Sequence, residues 1–146
     1  YVSTVESSGK SGMMILAVVI LLGLAFPAIL ILSGSKPMVA TVTDTALNIE
    51  GMYGMRVDYS KILSCDTIVS LPAIKVKTNG YAFGKILRGN FRLRTGEKVK
   101  MFIDKGNPPF IHIKTDDTDV FLNLKDADLT RKLFADITRY SGNRID

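Results

Sequence analysis

Between Lys75 and Lys105 the chain carries nine basic residues: Lys75, Lys77, Lys85, Arg88, Arg92, Arg94, Lys98, Lys100 and Lys105. Only two acids, Glu97 and Asp104, stand among them. In three places the basic residues alternate with an apolar one. Lys75 and Lys77 flank Val76, Arg92 and Arg94 flank Leu93, and Lys98 and Lys100 flank Val99. A strand sends successive side chains to opposite faces, so each pair is expected to share a face. Three such strands side by side would present Lys75, Lys77, Arg92, Arg94, Lys98 and Lys100 as one wall of positive charge. That wall suits anionic lipid, at about 1 kcal/mol per basic residue near the surface. It suits an acidic protein segment equally well. The plainer reading is a solvated outer face that blocks edge-to-edge pairing.

Other reactive residue types are sparse. His112 is the only histidine and Cys65 the only cysteine. A nucleophilic pair of His112 with Ser60 or Cys65 is formally possible, but no nucleophile motif surrounds either one. Between Ile111 and Ile113, His112 is expected on the solvent face of a strand, and Cys65 in or near the core. Asp116, Asp117 and Asp119 make an acidic turn. It lacks the glycine bend and the bidentate acid of a calcium loop, so a solvated hairpin turn is expected. No metal spacing, phosphate-cradling loop or paired-acid signature is present. The residues therefore point to no cofactor, no metal and no enzymatic activity. Tyr81, Phe83 and Phe91 near the basic stretch could stack on single-stranded nucleic acid. Phe91 alternates inward and no recognition helix is present, so nucleic acid is disfavoured. The apolar Tyr81-Ala82-Phe83-Gly84 is expected to be a loop folded over the body of the domain, although it could also dip into a membrane interface.

These residues have to be positioned by something. The stretch Met13–Leu32 contains no charge. Its roughly 20 apolar residues would span roughly 30 Å as a helix, the thickness of a bilayer core. Apolar residues run all round it, which argues against a buried amphipathic helix. It is also longer than the apolar region of a cleaved signal peptide. Gly23 and Pro27 are acceptable in a membrane helix, and Pro27 is expected to kink it. The reading is a flank at 1–12, a single transmembrane helix at 13–32, a short linker at 33–37, a domain at 38–140 and a tail at 141–146. The domain, in a chain of net charge +5, carries most of the positive charge, which favours the cytoplasmic side of the cell membrane. A lone cysteine demands no oxidising compartment. The chain opens on Tyr1, which is compatible with a preceding segment or helix.

After the anchor the periodicity becomes alternating. Strands are expected at Val39–Thr43, Ala46–Glu50, Met55–Tyr59, Thr67–Val69, Ile74–Thr78, Phe91–Arg94, Lys98–Ile103, Phe110–Lys114 and Val120–Leu124. A single helical turn is expected near Lys61–Leu63, and Tyr81–Arg88 is expected to be a wide loop. One helix closes the chain. Asp126 or Asp128 caps it, and Leu129, Leu133, Phe134 and Ile137 mark its apolar face. This is mainly β with one C-terminal α-helix, expected as short antiparallel strands in a small barrel or bent sandwich. Leu133 and Phe134 would plug one end.

Several pieces in this order resemble the membrane-anchored bacterial pleckstrin-homology-like (PH-like) domain proteins. They are Ile49-Glu50-Gly51-Met52-Tyr53-Gly54, Leu71-Pro72-Ala73-Ile74-Lys75-Val76-Lys77-Thr78-Asn79-Gly80, Gly89-Asn90-Phe91, Phe121-Leu122-Asn123-Leu124 and Thr130-Arg131-Lys132-Leu133-Phe134. The resemblance implies a PH-like fold and membrane anchorage. It implies no ligand. The basic loop that eukaryotic phosphoinositide binders place between their first two strands is replaced here by Asp44-Thr45. The expected role is a binding or scaffold module at the membrane surface that holds a protein partner or a second copy of itself. The alternative is recognition of anionic lipid head groups by the basic face.

Overall fold

The computed structural model describes residues 12–21 and 38–142. The chain divides into two units, Tyr1–Ser33 and Gly34–Asp146. In the first, residues 12–21 form one helix, α1, with every side chain exposed. The remainder of the expected span Met13–Leu32, the 33–37 linker, the flank before residue 12 and positions 143–146 of the tail lie outside the described residues. Among the described residues no helix is long and apolar enough to cross a membrane.

The second unit is mainly β. Strands β1 (Val39–Val42), β2 (Ala46–Glu50) and β3 (Met55–Asp58) form a three-stranded antiparallel sheet in that order. A 3₁₀ turn, η1 (Tyr59–Lys61), then leads the chain into a second sheet. That sheet contains β4 (Ile62–Ile68), β5 (Ile74–Phe83), β6 (Ile86–Leu93), β7 (Lys98–Asp104), β8 (Phe110–Thr115) and β9 (Asp119–Leu122), in the spatial order β4-β8-β9-β7-β6-β5. Helix α2 (Ala127–Gly142) closes the domain.

The six-stranded sheet is apolar on both faces. One face joins the small sheet and the helix in a single core. Phe102, Ile111, Ile113, Val120 and Leu122 meet Leu47, Ile49 and Val57 from β2 and β3, and Leu133 and Ile137 from α2. Each such side chain contributes about 1.5–3 kcal/mol when fully buried. The other face carries Leu87, Phe91, Leu93, Val99, Met101, Ile103, Phe110 and Phe121. The chain running from edge strand β4 to edge strand β5 supplies Leu71 to this second cluster, beside Ile68 and Ile74. Polar groups lock the corners. Asn123 is 2% exposed; its side-chain oxygen accepts the Asp104 N–H at 2.8 Å, and its amide donates to the Asp104 and Asn107 carbonyls. The Tyr59 hydroxyl donates to the Thr43 carbonyl, and the ring stacks on Tyr140 at 5.8 Å.

Several local expectations are corrected. Strands form at all nine expected segments, but β7 and β9 run parallel instead of antiparallel, because β9 enters between β7 and β8. Tyr81–Arg88 is no wide loop. Phe83 pairs with Ile86, and Gly84 takes φ of 57°, so a two-residue turn joins two long strands. The short strand at Thr67–Val69 is the end of the seven-residue β4. The helical turn falls at Tyr59–Lys61, slightly before its expected place. In α2, Asp126 Oδ1 accepts the Asp128 N–H at 2.8 Å, so Asp126 is the cap. Leu133 and Ile137 are buried and Phe134 packs beside them, whereas Leu129 is 53% exposed. The helix sets Leu133, Phe134 and Ile137 against the core shared by the two sheets and meets β1, η1, β4 and β8.

Candidate binding surfaces

Strand register decides which basic residues share a face, because directly opposed residues project to the same side. Arg92 stands opposite Lys98 on β7 and opposite Val76 on β5. Lys100 stands opposite Asn90. Strand β6 is regular from Ile86 to Arg92 against β7, so Arg92, Lys98 and Lys100 share one face. They lie away from Phe91 and Val99, which are buried on the other.

The rest of the expected wall does not assemble. Strand β5 bulges between Ile74 and Val76 and again between Lys77 and Asn79. The first bulge leaves Lys75 without a register partner. Lys77 is set opposite Phe91, on the face away from Arg92. Each bulge adds a residue and breaks strict alternation. Arg94 lies past the end of β6, where its N–H donates to the Ala73 carbonyl at 2.9 Å. Arg88, one of the nine basic residues, is only 6% exposed. Its Nη1 donates to the Leu87 and Ile103 carbonyls, both at 2.9 Å. Burial lowers its pKa, against a smaller upward pull from Asp104 and Tyr81.

Four ion pairs form among the described residues: Arg56–Asp58, His112–Asp119, Arg131–Asp128 and Arg139–Asp136. None involves a basic residue between Lys75 and Lys105. Arg92 and Lys98 are like charges directly opposed, an arrangement that costs stability. The side-chain bond from Arg92 is a long one, 3.4 Å to the Gly96 carbonyl. Among the described residues, the face therefore carries uncompensated positive charge.

The second surface is not visible in the sequence. A groove of about 440 Å³ opens on the other face of the large sheet, within the usual size range of ligand sites. Ile68, Leu71, Pro72, Leu93 and Phe121 supply its apolar walls, with Ser70, Arg94, Glu97, His112 and Asp119 among the polar groups. His112 stacks on Phe121 with ring centroids 4.3 Å apart and 7° between planes. Its Nε2 is 2.9 Å from Asp119 Oδ2. His112 is thus a half-buried groove residue, not a free solvent-facing one, and Asp119 belongs to the groove as well as to the acidic turn. No local motif announces this set, because it comes from four separated segments of chain.

Cys65 pairs with Ile113 in register and packs on the central core, so it lies on the opposite face of the sheet from His112. Burial, and secondarily Asp66, pushes the Cys65 thiol up to about 12. A neutral thiol on the far side of the sheet is not presented to that imidazole. Among the described residues no three His, Cys, Asp or Glu side chains gather closely enough to hold a metal ion.

No family model, curated protein or solved structure matches the chain. The PH-like resemblance therefore rests on the residues that carry it.

Proposed function

We propose that this chain is a membrane-anchored binding module with a PH-like domain. Met13–Leu32 anchors it in the cell membrane with the domain on the cytoplasmic side, and the domain holds a protein partner near the bilayer surface. The observation that carries this reading is the groove. It offers an apolar floor at Leu71, Leu93 and Phe121, and polar groups at Arg94 and at the hydrogen-bonded pair His112 and Asp119. That mixture of burial and directed polarity suits selective binding. A photo-crosslinking amino acid at Thr95, on the groove rim, tests it in the full chain in its native membrane. A discrete protein adduct should form there and be lost with Leu71→Glu. Absence of any adduct, an unchanged adduct after Leu71→Glu, or the same adduct from a crosslinker at Leu129 on α2 would overturn it. Retention of the full chain in alkali-washed membranes tests the anchor separately.

A second reading is favoured by the uncompensated cations. In it, Arg92, Lys98 and Lys100, with Lys75, Lys77 and Arg94 around them, meet anionic lipid head groups. Binding of the full chain to anionic vesicles should then fall with salt. It should also fall in the double variant Arg92→Glu, Lys98→Glu. Salt-independent binding would remove this reading.

A further inference from the structure

We propose that the tip of the β5–β6 hairpin is a bilayer wedge, in which Phe83 enters the interfacial layer of an anionic membrane while Lys85 and Lys105 engage its head groups. This rests on the second reading above and adds to it a point of insertion. Phe83 is 55% exposed although it is a large apolar residue in the evenly paired last part of β5. The two-residue turn at Gly84-Lys85 gives the tip no slack to fold back over it. The neighbouring Ala82, Gly84 and Lys85 are exposed too. The Lys105 N–H donates to the Lys85 carbonyl at 2.8 Å, which keeps the two lysines side by side. Asp104 is the nearby acid. Its Oδ1 accepts the Gly106 N–H at 3.1 Å.

Register ties the tip to the basic face. Phe83 stands opposite Ile86, and Ile86 lies in the same row as Asn90 and Arg92. The middle of that row is closed, because Arg88 is buried there, so the tip and the Arg92–Lys98 pair stand as two separate points roughly 20 Å apart at about 3.3 Å per residue. A narrow convex tip buries little area against a rigid protein, whereas a bilayer deforms around it. An aromatic ring flanked by lysines matches the apolar-to-anionic gradient of a lipid interface.

The chain has no tryptophan, so Phe83→Trp in the full chain is a single reporter. The chain is reconstituted in phosphatidylcholine vesicles with and without phosphatidylglycerol, using brominated lipid as quencher. Two sister chains carry Val76→Trp, which reports the basic end of the face, and Leu129→Trp on α2. The F83W emission should shift to the blue and be quenched when phosphatidylglycerol is present. The L129W emission should not respond, and Lys85→Glu with Lys105→Glu should abolish the F83W response. An unquenched F83W chain overturns the wedge. If the V76W chain still responds to the anionic lipid in that case, the surface reading stands without the wedge; if V76W is silent, both fall. Equal quenching of the L129W chain, or an F83W emission that is the same with and without phosphatidylglycerol, also overturns the proposal.

Discussion

The imidazole of His112 lies flat on Phe121, 4.3 Å between centroids, while its Nε2 reaches Asp119 Oδ2 at 2.9 Å. One ring therefore joins the apolar floor of the groove to its polar wall. His112→Phe should keep the stack and lose the hydrogen bond, and Asp119→Ala should lose the bond from the other side. Each is expected to cost about 1 kcal/mol, because both side chains are partly exposed. The double variant should cost clearly less than the sum of the two. Urea unfolding at neutral pH measures all three.

Gly89 is the tightest of the positive-φ positions in the domain. It has φ of 110°, and a Cβ there would come within 2.7 Å of the Asn79 carbonyl oxygen and Gly80 Cα, and 3.1 Å from Tyr53 Cγ. Two of those neighbours are backbone in the paired strand and cannot retreat. Gly89→Ala is expected to destabilise by about 2–4 kcal/mol, through strain and collision together. Gly84, which also has positive φ but open space around it, should tolerate alanine at about 1 kcal/mol. Thermal melts of the two variants give the contrast.

Asn123 satisfies three backbone groups at once, joining the end of β7 to the loop that follows it. Asn123→Leu would leave the Asp104 N–H and two carbonyls without that partner. The expected loss is about 3 kcal/mol or more. Hydrogen exchange at the Asp104 amide should accelerate even where the rest of the domain stays protected.

The raised thiol of Cys65 fixes a pH dependence. The unfolded chain releases its thiol proton near the ordinary value of 9.0, whereas the folded chain holds it to about 12. Over that interval the folded state binds more protons, so stability falls as pH rises from about 9 and levels off near 12. The full contribution is present below the ordinary thiol value. Tyr59, also raised by burial, adds a fall of the same sign above its ordinary value of 10.0. Cys65→Ala should flatten the first part of this decline in urea midpoints measured across alkaline pH. Native Cys65 should also resist alkylation at about pH 8, reacting only upon unfolding.

Much of the domain is legible in the sequence because alternation is a local signal. It marks Ala46–Glu50 as a strand with Leu47 and Ile49 inward, and the strand forms with both buried. It likewise sets Leu93 and Val99 opposite the lysines and arginines, and both are buried. Local pattern fails where the backbone departs from it. The two bulges in β5 rotate Lys77 away from Arg92, and nothing in Lys75-Val76-Lys77-Thr78 marks them. Gly84 reads as loop composition, although a glycine with positive φ is what a two-residue hairpin turn needs. Arg88 reads as one more surface cation until carbonyls from two strands enclose it. The groove is a product of topology, since His112, Asp119 and Leu71 become neighbours only when the large sheet is in place.

The position of β9 also governs the order in which this domain can be made. It lies between β7 and β8, near the middle of the six-stranded sheet, yet it is the last of the described strands in the chain. During synthesis β5, β6 and β7 can zip up as a meander as they emerge, while β4 waits for β8 and the two halves stay apart until Asp119–Leu122 closes the gap. A nascent chain stopped before Asp119 would hold two unjoined half-sheets, and assembly should be paced by long-range closure rather than by hairpin formation.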